Sequence, residues 1–469
     1  MNRAATWNPA VRAVMPANAS ATVPATLFPT APTAPTGTAL WRERGQPDRS
    51  DAPDAPAAPP LTAPPSSLAS GATRPTVLYV HQSSDLYGSD RVLLEGCSAL
   101  SAAGGHPIVV LPPGGPLVEA LRQRQIECHT LPAADLLKLE RGGLGAMAPL
   151  RLAVAVPRML RRLDSVVAGR EVHLVQSNTL AVLGGALWAQ YRRRPHLWHV
   201  HEIIEQPRIA ARVLPWLVRH LSTHALCNSL ATRRWLLRAE PGLAARSSVA
   251  WNGSADMRAL ATAAAGAPSD LATRFRPGGA RLAIGLVGRI NRWKGQCLLV
   301  DAAERLAARG YSDFSLVFVG SPPHGQDIWQ QRLRQRIAAS PLASRICETG
   351  FVADMADTYA ALDIVCVPSL EPEPFGLVAV EAMSAGLPVV ASAGGGLSEV
   401  VVHGGTGLLH TPRDADALAD ALAPLLADPL RRQSLGAAGR RRWEREFSAE
   451  AMGRRLLHTQ QQCLRAHRP

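Results

Sequence analysis

Short apolar runs rich in β-branched residues recur along the chain and alternate with stretches of helical periodicity. The runs are apolar at nearly every position, which is typical of strands buried on both faces of a parallel sheet. Because alternating helices would cover those faces, the pattern predicts an α/β fold of doubly wound parallel sheets. The predicted strands are Thr76–His81, His106–Pro112, Ile126–Leu131, Val172–Ser177, Leu197–His201, Ala225–Ser229, Ser247–Trp251, Arg281–Gly288, Phe314–Gly320, Arg345–Gly350, Asp363–Ser369 and Pro388–Ser392.

The length of 469 residues is enough for two domains with separate cores. Residues 1–74 are rich in Ala, Pro, Thr and Ser and cannot bury a core, so a disordered tail is expected there. A first domain is predicted at 75–262 and a second at 280–446. Segment 263–279, rich in small residues, is interpreted as the linker, and 447–469 as a C-terminal helix.

The net charge of +13 points to a negatively charged partner: nucleotide phosphates, anionic lipid or nucleic acid. The seven cysteines are scattered and have no zinc-ligand spacing, which favours reduced thiols in a cytoplasmic protein. No apolar run approaches the roughly 20 residues that a membrane-spanning helix needs. A signal peptide is not expected because no unbroken apolar core follows the early arginines.

The segment between the last two predicted strands carries two glutamates eight positions apart, Glu373 and Glu381. Pro374 suits the first turn of a helix, and Gly376 lets a ligand approach the backbone closely. The free N–H groups and the positive dipole end of that helix would face an anion. Two carboxylates around such a helix start indicate a binding site. The alternative is that both are structural, with Glu373 at the helix start and Glu381 exposed to solvent.

Two further loops follow predicted strands, at the edge of the sheet where ligands bind in open α/β folds. In the second domain, Arg289 and Lys294 lie on a glycine-containing loop that can clamp a diphosphate, unless they are ordinary surface cations. In the first domain, Gly88 permits a close approach to the backbone. Ser89 or Asp90 is expected to cap the helix that follows.

One strand of the first domain ends in His199-Val-His201-Glu202. The period of two places both histidines on one face, with His201 at the strand exit. His201 is therefore a candidate ligand contact, whereas a hydrogen-bonded core histidine is the stronger interpretation of His199. A zinc site is not expected because the remaining ligands are not evident.

The two second-domain motifs, taken in this order and separation, resemble those of the retaining GT-B glycosyltransferases of family 4, the glycosyl transferases group 1. The resemblance covers about residues 76–460 and includes His201, Glu202 and Glu205. It implies two Rossmann-like domains facing a cleft, the first for the acceptor and the second for a nucleotide-sugar donor. It also implies that the C-terminal helix crosses back to the first domain. Tyr87 stands where the family often has the first glycine of a pair.

The resemblance also implies roles for individual residues. Glu373, beside the donor sugar, and His201, near the reaction centre, become the predicted catalytic residues. The predicted donor-binding residues are Arg289 and Lys294 at the phosphates, the backbone of Phe375, Gly376 and Leu377 at the diphosphate, Glu381 at the ribose, Val352 at the base and Gly88 at the cleft.

The implied reaction moves a sugar from a nucleoside diphosphate to a hydroxyl of a glycan or lipid-linked acceptor, with retention of anomeric configuration. No metal or cofactor is expected, because Arg289, Lys294 and helix N–H groups can stabilise the leaving diphosphate. By analogy with the family, we expect a role in bacterial cell-surface polysaccharide or lipopolysaccharide synthesis, in the cytoplasm at the inner face of the plasma membrane. The sugar, base, acceptor and oligomeric state do not follow from the sequence.

Two other functions remain open. One is a GT-B-type epimerase or hydrolase that acts on a nucleotide-sugar without a second acceptor. The other is a non-catalytic basic protein that binds nucleic acid or membrane. Segment Arg208–Arg219 mixes Arg with Trp216 at helical spacing, which suits either an anionic membrane surface or a solvated face. Nucleic acid is not expected, because the key cations lie on glycine loops rather than on one exposed stripe.

Overall fold

The structure is a computed structural model that describes residues 74–139, 148–263, 270–352 and 355–467, with only the backbone described at 148–153. The predicted disordered tail, 1–74, lies outside the described residues apart from Arg74. The described strands form one seven-stranded and one six-stranded sheet, and neighbouring strands in both sheets run parallel. This arrangement confirms the predicted α/β class.

The strands are β1 Thr76–His81, β2 His106–Leu111, β3 Glu127–Thr130, β4 Leu174–Asn178, β5 His196–Val200, β6 His224–Cys227, β7 Ser247–Val249, β8 Leu282–Val287, β9 Phe314–Val319, β10 Ile346–Gly350, β11 Ile364–Val367, β12 Val389–Ser392 and β13 Leu408–His410. The helices are α1 Gly88–Ala102, α2 Pro116–Gln123, α3 Ala148–Val167, α4 Gly184–Tyr191, α5 Arg208–Leu221, α6 Leu230–Ala239, α7 Met257–Ala263, α8 Leu271–Arg274, α9 Gln296–Ala308, α10 Ile328–Ala338, α11 Met355–Ala360, α12 Leu377–Ala385, α13 Leu397–Val400, α14 Ala415–Ala427, α15 Pro429–Arg442 and α16 Ala449–Ala466. Short 3-10 segments lie at Ala133–Leu136, Pro241–Arg246, Pro277–Gly279 and Ala343–Arg345, and a π-helical turn lies at Trp443–Phe447.

The two sheets have the same kind of strand order. The first runs β3-β2-β1-β4-β5-β6-β7 and the second β10-β9-β8-β11-β12-β13. In each sheet the order reverses beside the first strand, between β1 and β4 and between β8 and β11. A crevice opens at such a reversal, outside the carboxyl ends of the strands. The loops that follow β1, β8 and β11 are therefore placed to form a site.

Apolar residues on both faces of each sheet form the cores, as the continuous apolar runs predict. On the first sheet, Tyr79 packs with α1, α2 and α16 on one face, and Val80 packs with α3 and α4 on the other. On the second sheet, Val365 packs with α11 and α12 on one face, and Cys366 packs with α9 and α14 on the other. Both sheets are thus covered on two sides, which rigidly positions the loops at their carboxyl ends.

Several helices begin at side-chain caps that the sequence supplies. The Ser229 hydroxyl accepts a hydrogen bond from the backbone N–H of Thr232 at the start of α6. The Asp414 carboxylate accepts from the N–H groups of Asp416 and Ala417 at the start of α14. Each cap satisfies N–H groups that the first helical turn leaves without partners.

The chain passes between the two domains twice. Helix α7 packs against α11 and α12, and its Met257 lies in a core of the second domain, so the crossing comes before the predicted boundary at 262. Only part of the predicted linker, 263–279, is described; there α8 forms a helical turn and Phe275 is buried in the second core. The apolar Phe275 side chain fixes this segment in place of a free linker. After the second domain, α16 packs against α1 of the first domain.

The strand β13 was not predicted from the sequence. It is three residues long and pairs only with β12 among the described strands. A run this short beside a glycine-rich segment gives no strand periodicity.

Candidate functional site

The loop after β8 brings a lysine against a glutamate from the loop after β11. Lys294 Nζ lies 2.7 Å from Glu373 Oε1, and both side chains are largely buried. The Ser369 hydroxyl donates a short hydrogen bond to the same carboxylate oxygen. Gly295 has a φ of 80° and packs so closely on the carbonyl of Pro368 that a side chain has no room. The two loops are therefore locked together, with the lysine and the glutamate at their junction.

Helix α12 begins at Leu377, so the expectation that Pro374 lies in its first turn is wrong. Gly376 is the N-cap with a left-handed φ of 104°, which turns the chain into the helix two residues after the proline. No side chain caps this helix start. Ala379 N donates to Gly376 O, and no hydrogen bond from the Leu377 or Val378 N–H groups occurs among the described residues. These N–H groups and the helix dipole remain available for an anion.

The glycine-rich turn Gly394–Gly396 packs on the backbone that precedes α12. Gly396 N donates to Glu373 O at 2.7 Å, and Gly395 pairs with Glu373 in a short parallel bridge. A side chain on Gly396 would collide with the backbone of Phe375. The turn thus buttresses the loop, and its glycines are required by this packing. The ring of Phe375 is buried in the core, so only its backbone is available to a ligand.

Glu381 lies one turn inside α12 and is 5% exposed. Its Oε2 accepts a hydrogen bond from the Tyr359 hydroxyl at 2.7 Å, and its Oε1 lies 3.6 Å from Arg91 Nη1 of the first domain. Burial and the neighbouring carboxylate raise the pKa of Tyr359 well above its usual value, so this hydroxyl stays a donor. The carboxylate is therefore held between a second-domain phenol and a first-domain guanidinium.

Arg289 reaches across to the first domain. Its guanidinium lies 3.9 Å from the centroid of the Tyr87 ring, and its Nη2 lies 3.3 Å from Asp85 Oδ2. The Tyr87 ring also meets the ring of Phe351 edge-on, at 5.7 Å between centroids. The residue that replaces the family's first glycine, Tyr87, thus contacts two second-domain side chains.

Helix α1 begins at Gly88 with Tyr87 as N-cap, so neither Ser89 nor Asp90 caps it as predicted. Asp90 instead lies in the first turn, where its carboxylate accepts from Tyr87 N at 2.9 Å. Gly88 faces the second domain: a Cβ there would lie 3.9 Å from Leu377 Cδ2, an ordinary contact distance, so this packing does not itself require a glycine.

A cavity of about 90 Å³ lies where these loops meet. Both domains line it, since α1 and the loop before it face β8, β9 and α12. It brings together three predicted donor-binding residues from the second domain and one from the first. The four are Val352, Leu377, Glu381 and Gly88. Gly288, which also lines the cavity, lies beside Lys294, since a Cβ there would be 3.9 Å from Lys294 Cε.

His201 and His199 lie on one face of the strand end, with ring centroids 4.0 Å apart. Burial holds the pKa of His201 well below its usual value and lowers that of His199 to about 3, so both rings are neutral. His199 Nε2 is buried without a hydrogen-bond partner among the described residues, contrary to the interpretation of a hydrogen-bonded core histidine. Glu202 accepts from the N–H groups of Leu180 and His201, and burial raises its pKa to about 7. Glu205 is exposed.

Two features of this region were missed at the sequence level. His81, Asp90 and Asn178 form a buried hydrogen-bonded chain that ends at His201. His81 and Asn178 end strands β1 and β4, and Asp90 lies in the first turn of α1. These positions are too far apart in the sequence for any regular spacing to indicate that the side chains meet. The second feature is Glu399, which belongs to the second domain and bonds to the first.

Glu399 Oε2 accepts from Leu230 N at 2.8 Å and from Trp251 Nε1 at 2.9 Å, and its Oε1 accepts from Ala231 N at 2.7 Å. The carboxylate thus occupies the N-terminus of α6, where backbone N–H groups and the helix dipole favour an anion. Nearby, the Thr232 hydroxyl lies 3.3 Å from Pro374 O. Two second-domain residues therefore contact the first domain near Glu373: Pro374, which follows it in the same loop, and Glu399 on α13.

No group of three or more His, Cys, Asp or Glu side chains with metal-binding geometry occurs within the described ranges. In the same ranges, no helix combines the length and apolar character required to cross a bilayer.

Comparison with known proteins identifies the second domain. Residues 277–442 match the family described as "Glycosyl transferases group 1". The D-inositol 3-phosphate glycosyltransferase of Kribbella flavida is 39% identical over 182 residues, which cover 37% of this chain and 42% of that protein. The lipopolysaccharide core biosynthesis mannosyltransferase LpsB of Rhizobium meliloti is 32% identical over 184 residues, which cover 39% of this chain and 52% of that protein. The chain thus spans about half or less of the length of these curated relatives.

Solved structures match over more of the chain. Anabaena HepE in complex with UDP-glucose aligns with a TM-score of 0.68 and 24% identity, over 82% of this chain and 99% of that one. Sucrose-phosphate synthase of Thermosynechococcus elongatus aligns with a TM-score of 0.64 and 25% identity, over 84% of this chain and 100% of that one. The alignments include both sheets, and they confirm the predicted GT-B fold. The chain has the two-domain GT-B fold, and its residues 277–442, in the second domain, match the glycosyl transferases group 1 family.

Proposed function

We propose that the protein is a glycosyltransferase that moves a hexose from a nucleoside-diphosphate-sugar to a hydroxyl of a glycan or lipid-linked acceptor. The observation that carries the proposal is the junction of Lys294 and Glu373, 2.7 Å apart, beside a helix start with free N–H groups. Such a site suits a diphosphate next to a sugar. The names of similar proteins support the donor class, since HepE was solved with UDP-glucose.

The leaving diphosphate gains negative charge as the bond between the sugar C1 and the phosphate oxygen breaks. Arg289, Lys294 and the N–H groups of Leu377 and Val378 are the groups that would stabilise that charge in the proposed site. Preorganised donors of this kind are each worth roughly 2.7–4 kcal/mol in comparable oxyanion sites. On this account the site requires neither a metal ion nor another cofactor.

Glu373 would meet the donor sugar, since its carboxylate lies beside Lys294 and is fixed by Ser369. Glu381 would accept hydrogen bonds from the ribose hydroxyls, and Val352 would lie at the base. We infer retention: the acceptor oxygen attacks C1 on the face from which the diphosphate leaves. The acceptor proton then passes to the departing phosphate oxygen, so no protein nucleophile is needed.

A donor panel tests the proposal directly. The protein is incubated with nucleoside-diphosphate-sugars, with and without glycan and lipid-linked acceptors, in the presence and absence of EDTA. We expect an acceptor-dependent product that keeps the donor's anomeric configuration, as read from the NMR coupling at C1, and an unchanged rate with EDTA. Free sugar formed without acceptor would indicate a hydrolase, and an isomerised donor an epimerase. Either result would replace the transferase assignment.

Helix α5 suits the surface on which a lipid-linked acceptor would lie. Ile209, Val213 and Trp216 are exposed on one side of it, and Ile209 is 70% exposed. Leu214 and Val218 on the other side are buried in the first domain. Exposed apolar residues next to the exposed arginines 208 and 212 suit an anionic bilayer surface. We propose that this helix holds the protein at the membrane, which would place it at the cytoplasmic face in bacterial cell-surface polysaccharide synthesis.

Vesicle sedimentation tests the membrane contact. With vesicles containing anionic lipid, we expect Ile209→Glu to reduce the bound fraction at least five-fold, because the change removes apolar area and adds a repelled charge. Ile328→Glu is the matched control, since Ile328 is also an exposed helical isoleucine but lies in the second domain. Equal binding by both variants would contradict a role for α5.

A further inference from the structure

A buried chain of hydrogen bonds links the first turn of α1 to His201. Asp90 Oδ1 lies 2.6 Å from His81 Nε2, and His81 Nδ1 lies 3.2 Å from Asn178 Nδ2. Asn178 Oδ1 lies 3.0 Å from His201 Nε2. All four side chains are at least nine-tenths buried. Direction matters in such a chain, because each link needs one donor and one acceptor.

The orientation of the Asn178 amide is set by Ser89, which is not one of the four hydrogen-bonded side chains. Asn178 Nδ2 donates to the backbone carbonyl of Ser89 at 3.3 Å, and a carbonyl oxygen can only accept. The amide nitrogen therefore faces Ser89 and His81, and the amide oxygen faces His201. Because His81 Nδ1 accepts from Asn178 Nδ2, His81 Nε2 is the donor to Asp90 Oδ1, which also accepts from the Ser89 hydroxyl, while Asp90 Oδ2 accepts from Tyr87 N.

The orientation of Asn178 fixes the tautomer of His201. Because the amide oxygen can only accept, His201 Nε2 must carry a hydrogen. Burial lowers the pKa of His201, so the ring is neutral and Nδ1 carries a lone pair. No hydrogen bond to Nδ1 occurs among the residues that the structure describes.

We propose that Asn178 is a positioning residue: it holds His201 as the Nε2–H tautomer, so that Nδ1 accepts a hydrogen bond from a hydroxyl of the bound sugar or acceptor. The proposal rests on the proposed transferase function. It specifies the class of group that His201 meets, because a bare nitrogen attracts a hydroxyl hydrogen and repels a phosphate oxygen. Through Asp90, the same hydrogen bonds connect the tautomer of His201 to the helix start that contains Gly88.

The first test reads the tautomer without requiring activity. Long-range 1H–15N spectra of protein with 15N-labelled histidine separate protonated from unprotonated ring nitrogens, and His201→Gln identifies the His201 signals by their loss. We expect a single Nε2–H form in the unsubstituted protein. In Asn178→Leu, the amide oxygen is gone, so we expect the His201 shifts to move toward a mixture of both tautomers. Asn178→Asp keeps an acceptor at Nε2 and should keep the Nε2–H form.

The second test separates positioning from general structural damage. We expect Asn178→Leu to lower kcat at least ten-fold, while the Kd for the nucleoside diphosphate changes less than two-fold. Asn178→Asp should recover most of the lost kcat. Gln176→Leu is the matched control: it lies two residues earlier on β4, is equally buried and bonds to Gln460 rather than to the histidines. It should leave the His201 spectrum unchanged.

Four results would contradict the proposed role of Asn178 or the function on which it rests. Unchanged His201 shifts in Asn178→Leu, or an Nδ1–H form in the unsubstituted protein, would overturn the proposal. If Asn178→Leu does not fold, Asn178→Asp decides alone, because a switch of tautomer in that variant would refute the role of the amide oxygen. Absence of transfer with every donor would refute the transferase function, while the spectra would still decide the tautomer.

Discussion

The carboxylate of Glu399 offers the sharpest test of how the two domains are held together. It is 4% exposed, and it accepts hydrogen bonds from two N–H groups at the start of α6 and from the Trp251 indole. All three donors belong to the segment before the crossing into the second domain. Glu399→Ala removes the acceptor for all three donors, of which the Trp251 indole is buried and the two backbone N–H groups are partly buried.

The size of the effect follows from these contacts. A hydrogen bond to a charged group contributes about 1.5–3 kcal/mol, and an anion at a helix N-terminus adds up to about 2 kcal/mol when partly buried. Contacts that share one carboxylate are not additive, and removal also relieves the cost of burying the charge. We therefore expect Glu399→Ala to lower the free energy of unfolding by about 3–5 kcal/mol. Glu399→Gln keeps one oxygen acceptor and should lose about half as much.

Urea unfolding followed by tryptophan fluorescence and circular dichroism measures both variants. Glu119→Ala is the control, since Glu119 is also a first-turn carboxylate but is exposed on α2, and its loss should cost less than 1 kcal/mol. We also expect the two domains of Glu399→Ala to unfold in separate steps. A loss below 1 kcal/mol, or one equal to that of the control, would show that the carboxylate does not join the domains.

Three further predictions concern the site and its surroundings. Lys294→Ala should reduce kcat/KM for transfer by at least 100-fold while the fold survives, and Arg292→Ala, an exposed neighbour, should stay within two-fold; wild-type turnover by Lys294→Ala would remove the role. Asp85→Asn should tighten nucleoside diphosphate binding about two- to five-fold by calorimetry, because it frees Arg289 from an exposed ion pair, and a weaker Kd would contradict this. In His199→Phe, the free energy of unfolding should fall less steeply as the pH is lowered. The pKa of His199 is about 3 in the folded protein and about 6.5 in the unfolded chain, so the unfolded chain binds a proton first and this histidine destabilises the fold below about pH 6.5. The effect is at most about 1.4 kcal/mol per pH unit. Unfolding free energies at pH 7, 6 and 5 test this, and equal slopes in both proteins would refute it.

Glu202 opposes the loss of stability that the buried histidines cause when the pH is lowered from about 7 to about 4.5. Its pKa of about 7 lies above the unfolded value, so its contribution is full below about pH 4.5 and is lost as the pH rises through 7. Three buried histidines, 196, 199 and 201, outnumber it, so net stability should still fall with acidification below about pH 6.5.

The fold was predictable because its strands are short, continuous and apolar. Runs such as Phe314–Val319 have one consistent interpretation, buried parallel strands, and alternation with helices then fixes the class. The exceptions are informative. Helix α12 begins after Pro374 because Gly376 adopts a conformation that other residues resist, and sequence alone does not show where a glycine uses that freedom.

The sequence could point to candidate site residues only where they lie in a recognisable loop or helix start. Glu373 and Lys294 stand out because each lies on a glycine-containing loop after a predicted strand, and the fold brings them to 2.7 Å. The partners of Glu381 could not be predicted, since Arg91 and Tyr359 come from different domains and carry no common spacing. The same holds for Asn178 and Glu399, whose roles depend on hydrogen bonds between distant segments.

The last described helix, α16, has a consequence for how the chain is made. Leu456 and Cys463 complete a core on the first sheet, and Gln460 donates to Tyr79 and Gln176 on its strands. Helices α1 and α2 cover part of that face of the sheet, but the part that α16 covers stays exposed while the second domain is synthesised. The domain that leaves the ribosome first is therefore completed last, and its apolar residues that contact α16 are buried only after the whole chain has been made.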